Sequence, residues 1–160
     1  MFYSIDEIFE MAEQLERNGG QFYRLAAEST TNPTHQKMLR ELAAMEDEHE
    51  RVFHEMRLNI AKQDSKTATF DPEGLAGQYL QALVDGEVFD VKTGPSELLK
   101  QTETMEDILQ IAIGLEKDSI IFYLGIKGVL EDPLVKEIMD KIIQEEMEHI
   151  TTLSKKLTSV

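Results

Sequence analysis

Glu146-Met147-Glu148-His149 sets a glutamate and a histidine three residues apart in a run that otherwise reads as one amphipathic helix. Residues at that spacing share a helix face. Val135, Ile138, Met139 and Ile142 before the pair, and Ile150, Leu153 and Leu157 after it, recur at intervals of three and four. Glu146 and His149 therefore fall on the stripe expected to turn inward. Polar groups on such a stripe need a partner, and carboxylate oxygen with neutral imidazole is a donor pair suited to first-row transition metals.

The same pattern stands 100 residues earlier, where Glu46-Asp47-Glu48-His49 lies in a stripe of Met38, Leu39, Leu42, Met45, Val52, Phe53 and Met56. The offset also pairs Ser4 with Thr104, Glu7 with Asp107, Ile8 with Ile108, Ala12 with Ala112, Leu15-Glu16 with Leu115-Glu116, Phe22-Tyr23 with Phe122-Tyr123, and Pro33 with Pro133. The chain is thus an internal duplication. In each copy a lone glutamate on the apolar stripe, Glu16 or Glu116, precedes the Glu-x-x-His pair by 30 residues. A single Glu-x-x-His in so acidic a chain would pass for coincidence, but two at one offset, each with its upstream glutamate, would not. Burying four carboxylates without a cation would cost several kcal/mol each or force them to protonate, so the repeat predicts a metal site.

At 160 residues the chain suits one duplicated domain with a full core rather than two independent ones. It has no cysteine, which excludes disulfides, iron–sulfur clusters, thiolate zinc sites and a rubredoxin-type iron centre within it. The acidic opening, Met1 to Glu10, does not read as a secretory leader, and no apolar run reaches membrane-spanning length. We expect a soluble cytoplasmic protein that engages no membrane. A formal net charge of −15 opposes attachment to phosphate backbones, so nucleic acid is not an expected partner. Most of the 31 acidic residues simply solvate the surface.

Helix boundaries follow from caps. Ser4-Ile5-Asp6-Glu7 has capping-box spacing and opens a helix over about 5–30, and Asn32-Pro33 opens a second over about 33–62. The short turn makes the two an antiparallel pair, with Glu16 and Glu46 both about 20 Å from it and so level with each other. Gly19 and Gly20 cost about 1 kcal/mol each inside a helix but leave room for close contact. Thr104 and Asp107 open a third long helix over about 104–130, and Asp132-Pro133 a fourth over about 133–157. The connection from 63 to 103 is too long for a turn and must cross the bundle. Within it Asp71-Pro72 reads as the start of a short helix, with Leu75, Tyr79, Leu83 and Val84 on one face, ending near Asp85-Gly86; Gly94-Pro95-Ser96 marks a further break.

With both hairpins, the crossover and the six donor residues in view, the sequence resembles the ferritin-like superfamily, specifically its rubrerythrin-like branch. The resemblance covers both halves: repeat one at 1–62, crossover 63–103, repeat two at 104–160. It implies an all-α four-helix bundle of two duplicated hairpins joined by a long crossover with a short helix. It names Glu16, Glu46, His49, Glu116, Glu146 and His149 as metal ligands, with Glu46 and Glu146 bridging. Tyr23 and Tyr123, two turns beyond Glu16 and Glu116 on the same face, read either as hydrogen-bond donors to a ligand carboxylate or as packed core tyrosines. His35 and His54 lack the upstream glutamate and read as surface or capping residues, and the methionines as core filler.

The expected cofactor is a di-iron centre of two iron ions, with manganese or zinc as the other candidates. The expected function is a non-haem di-iron oxidoreductase that oxidises ferrous iron with hydrogen peroxide or dioxygen, as a peroxidase or ferroxidase; iron storage or delivery, or a di-manganese or oxygenase-type enzyme, are the rivals. We expect a homo-oligomer, a dimer. Rubrerythrins proper carry a further glutamate three residues after the third-helix ligand and commonly a rubredoxin domain; here the position is Ser119, with Gly19 as its counterpart, and cysteine is lacking. The resemblance therefore implies a more symmetric six-residue site, with electrons supplied by a separate donor protein or by incoming ferrous iron itself, and with Glu73, Asp85, Glu87 and Asp90 of the crossover as carboxylates that could add a seventh ligand.

Overall fold

The computed structural model describes residues 3–62, 74–85 and 94–160, and those residues form six helices with no ladder of strands. They are α1 (Ile5–Ser29), α2 (Pro33–Lys62), α3 (Leu75–Asp85), α4 (Pro95–Leu99), α5 (Met105–Val129) and α6 (Pro133–Leu157). The caps act as the sequence requires. Ser4 and Glu7 close a capping box at α1, and Thr104 and Asp107 close the equivalent one at α5. Asn32 Oδ1 accepts from the Thr34 and His35 amides, and Asp132 Oδ1 from the Leu134 amide at 2.9 Å. Each places its following proline at the first helical position, where a missing N–H costs nothing.

α1 packs along α2 and α5 along α6, giving two antiparallel hairpins, and the hairpins meet through α1 against α5 and, more sparsely, α2 against α6. The buried residues divide into two cores. One joins the start of α1 (Ile8, Phe9, Ala12) to the end of α2 (Phe53), the end of α5 (Phe122, Ile126) and the start of α6 (Met139, Ile142). The other joins the end of α1 (Phe22, Ala26) to the start of α2 (Leu39, Leu42), the start of α5 (Ile108, Leu109) and the end of α6 (Leu153). α1 and α5 therefore run antiparallel. Since α2 ends beside the first core and α5 begins beside the second, the crossover has to travel the length of the bundle.

It does so with α3 lying on α5 and α4 on α1. α3 inserts Leu80 and Leu83 into the first core, while Leu98 and Leu99 of α4 pack against the second. Close approach of α3 rests on small residues: a Cβ on Gly128 would stand 2.8 Å from Ala76 Cβ, and one on Gly125 would stand 3.1 Å from Leu80 and Tyr79.

Three expectations need correction. The buried face of α3 is Gly77, Leu80 and Leu83, so Leu75 is 84 % exposed, and Tyr79 lies at the rim with its hydroxyl donating to the Ile121 carbonyl at 2.9 Å. Gly94-Pro95 is a helix start rather than only a break, because Pro95 pre-sets the first turn of α4. Met45 and Ile138 are exposed, because the inward stripes of α2 and α6 are narrower than a three-and-four count suggests and centre on Glu46, His49, Glu146 and His149. The Asp71-Pro72 start, Glu73, Glu87 and Asp90 lie outside the described residues. Among those described, no helix is long and apolar enough to cross a membrane.

Candidate metal centre

Between the two apolar cores lies a single polar layer. Glu16 of α1, Glu46 and His49 of α2, Glu116 of α5, and Glu146 and His149 of α6 are all at most 3 % exposed and point toward one another. They assemble into two overlapping groups of four, Glu16 with Glu46, His49 and Glu146, and Glu116 with Glu46, Glu146 and His149, each with donor atoms within 4.8 Å of one another. Glu46 and Glu146 belong to both groups. The two imidazoles face across the layer with ring centroids 5.9 Å apart and planes inclined by 24°.

Both histidines turn Nδ1 inward. His49 Nδ1 stands 2.6 Å from Glu146 Oε1 and 3.6 Å from Glu16 Oε2, and His149 Nδ1 stands 3.3 Å from oxygens of Glu46, Glu116 and Glu146. Proximity does not amount to satisfaction. Glu16 Oε2, Glu46 Oε1, both Glu146 oxygens and the Nδ1 atoms of His49 and His149 are buried with no well-directed hydrogen bond; among the described residues only Gln81 Oε1 shares that condition. Buried polar atoms are ordinarily paired, and leaving one unpaired costs about 1–3 kcal/mol. Oxygen and imidazole donors converging on a common space are what a cation would satisfy, and the mixture of carboxylates and imidazoles suits divalent first-row ions.

The protonation states show the same tension. Burial pushes the Glu46 and Glu146 carboxyls well above the ordinary range, and the charges of Glu16 and Glu116 push them further. Burial alone would lower the imidazolium pKa values, but pairing with Glu146 and Glu16 raises His49 to about 11, and pairing with Glu116 and Glu146 raises His149 to about 9. For Glu116 burial works upward, yet Glu146, His149 and the Tyr23 hydroxyl together hold it at about 2. Without a cation the layer is thus held together by protons, which a bound ion would displace.

Two tyrosines close the layer. Tyr23 Oη donates to Glu116 Oε1 at 2.5 Å, and Tyr123 Oη donates to Glu16 Oε1 in a very short hydrogen bond. Each crosses to the other repeat, because α1 and α5 are antiparallel and the residue two turns past one glutamate arrives beside its counterpart. Burial keeps both phenols neutral, their pKa values raised well above 10.

Asp85 is exposed, accepts from Gln81 Nε2 at 2.5 Å and stands apart from the layer. Ser119, at the position where a seventh carboxylate would sit, turns its hydroxyl to the Leu115 carbonyl, and a Cβ on Gly19 would stand 3.4 Å from Glu46 Oε2. His35 sits at the α2 cap, and His54 pairs through Nδ1 with Glu13 at 2.8 Å. Sequence reasoning did not single out Glu13, buried to 4 % exposure and paired with His54 and Arg57, nor Glu145, which touches the outer nitrogen of His49, and it read Met45, which touches the outer nitrogen of His149, only as a core residue.

No protein-family model and no curated protein sequence matches the chain. Among solved structures it is similar to a Thermotoga maritima protein provisionally described as a ferritin-like diiron-carboxylate protein, with 28 % identity and a TM-score of 0.77 over 99 % of this chain and 97 % of the other.

Proposed function

We propose, for this member of the ferritin-like superfamily, a non-haem di-iron oxidoreductase of rubrerythrin-like type that oxidises ferrous iron with hydrogen peroxide or dioxygen. One observation carries the reading: two four-residue donor groups share Glu46 and Glu146, so two ions would be held side by side with common carboxylates. Adjacent iron ions supply two electrons together to one oxidant. The diiron-carboxylate description of the Thermotoga maritima protein supports iron as the metal.

The chain's own residues have defined parts in this reading. Glu46 and Glu146 hold the two positions together, while Glu16 with His49 and Glu116 with His149 complete one end each. Tyr23 and Tyr123, neutral at any working pH, fix the free rotation of the two terminal carboxylates from outside. The apolar cores on either side keep water from the layer and strengthen every charge interaction inside it. These 160 residues hold no cysteine for a rubredoxin-type donor, so in this reading electrons for repeated turnover come from a separate reductant or from incoming ferrous iron itself.

Anaerobic titration with ferrous iron followed by a pulse of peroxide or oxygen tests the proposal. Saturation at two ions per chain and one rapid round of oxidation, renewed on adding reductant, are expected. Saturation at one ion or none would overturn the dinuclear reading, and continued uptake far beyond two would replace the enzyme with a storage protein.

A further inference from the structure

The inner donors obey the repeat, but their outer supports do not. His49 Nε2 lies 2.8 Å from Glu145 Oε2, whereas His149 Nε2 lies 3.3 Å from Met45 Sδ. Met45 and Glu145 occupy equivalent positions, 100 residues apart, and each reaches across to the histidine of the opposite hairpin. Once Nδ1 binds an ion, Nε2 must carry the proton and donates it to whatever stands there. A carboxylate is a strong, charged acceptor that fixes the ring and raises its basicity; a thioether is a weak acceptor that does little of either. The other Glu145 oxygen lies 4.0 Å from Lys141 Nζ, which steadies the carboxylate from the surface side.

We infer that the two ion positions are unequal and fill in order, first at the Glu16–His49 end, where Glu145 is a positioning residue, and second at the Glu116–His149 end, where Met45 leaves the imidazole weakly anchored. The inference rests on the dinuclear reading above. It gives the centre a retained ion and an exchangeable one, with Met45, 36 % exposed, on the outer side of the exchangeable position. An incoming ion would bind and leave there while its neighbour stays.

The test uses the full chain and cobalt(II), which reports binding through its visible spectrum without oxidising. Wild-type protein should show two steps separated by about tenfold or more, the loss expected when the outer partner of a ligating histidine is missing. Crystals grown at one equivalent should place the anomalous cobalt signal at the Glu16–His49 end. Glu145→Met should weaken the first step by about 10- to 100-fold, and Glu145→Gln, which keeps an acceptor without the charge, should fall between. The exchange Met45→Glu with Glu145→Met should reverse the order of filling, an outcome that general damage to the fold cannot produce. Two cobalt ions binding in indistinguishable steps, or an unchanged order in the exchange variant, would overturn this inference while leaving the dinuclear reading intact. Saturation below two would overturn the dinuclear reading itself.

Discussion

Glu146→Gln separates the stability of the protein scaffold from the stability that metal confers. Glu146 is 0 % exposed, and burial, reinforced by the charges of Glu16 and Glu116, pushes its carboxyl toward the neutral, protonated form. Glutamine has nearly the shape and charge of that neutral acid. In chelator-treated protein the substitution should therefore change stability by less than about 1 kcal/mol, or about 2–4 °C for a chain of this size. Were Glu146 instead an ionised partner of His149, breaking the pair would cost about 3–5 kcal/mol.

With metal the comparison changes. An ion that binds only the folded state at a hundred times its dissociation constant stabilises by about 2.7 kcal/mol, so two such ions would raise the melting temperature by about 10–20 °C. Glu146 belongs to both donor groups, so the variant should keep less than half of that rise. Paired thermal melts followed by far-ultraviolet circular dichroism, with chelator and with manganese(II), measure both quantities. A variant whose metal-induced rise equals that of the wild type, or one that loses several kcal/mol without metal, would refute the reasoning.

Other perturbations follow from the same contacts. Tyr23→Phe removes the only described hydroxyl donor to Glu116 and should lower the urea midpoint by an amount equivalent to about 1–3 kcal/mol, with no change in the denaturant slope. Because both imidazolium pKa values are raised, their pairing stabilises chelator-treated protein fully below the unfolded value of about 6.5 and is lost as pH climbs through about 9 for His149 and about 11 for His49. Urea midpoints should fall over that window, and His149→Gln should flatten its lower part. Metal affinity should move the opposite way and rise with pH, with protons released on binding, as measured by calorimetry in buffers of different ionisation enthalpy. Gly20→Ala should stabilise by up to about 1 kcal/mol, because the atom its Cβ meets at 2.8 Å, Asp47 Oδ1, ends an exposed side chain that can move; Gly128→Ala, whose Cβ meets Ala76 Cβ at the same distance, should destabilise by about 1–3 kcal/mol despite the same gain in helix propensity. Equal effects in the two alanine variants would contradict the packing of α3 on α5.

Much of this arrangement is legible in the sequence because it is local. Caps fix where a helix starts irrespective of what it packs on, so the long helices begin and end within about a residue of where Ser4, Asn32, Thr104 and Asp132 put them. The duplication then multiplies a weak signal, since a Glu-x-x-His pair is ambiguous once and informative twice. What the sequence conceals is the rotation of one hairpin against the other. That rotation decides that Tyr23 reaches Glu116 rather than a residue of its own repeat and that Glu145 rather than Glu148 meets His49. Glu13 was invisible for a related reason. Its burial depends on Arg57 and His54 of α2 covering it, and its equivalent in the second repeat is Ile113, so the repeat gave no second vote.

The division of donors has a mechanical consequence. Each hairpin owns three members of its group and borrows the fourth, Glu146 lent to the Glu16–His49 end and Glu46 lent to the Glu116–His149 end. Within a hairpin the helices pack along their whole length, whereas between hairpins α2 and α6 barely meet. The layer that fails to satisfy its own buried polar atoms is therefore also the layer where the two halves need joining. An ion placed there satisfies those atoms and at the same time ties one hairpin to the other through a shared carboxylate. The unfavourable burial of four carboxylates is tolerable because it is confined to one plane, with an apolar core above and below to hold the helices in register whether or not the plane is filled. Binding energy thus appears mainly as resistance to separation of the hairpins, and hydrogen exchange should show metal protecting the α1–α5 and α2–α6 contacts more than the α1–α2 and α5–α6 contacts.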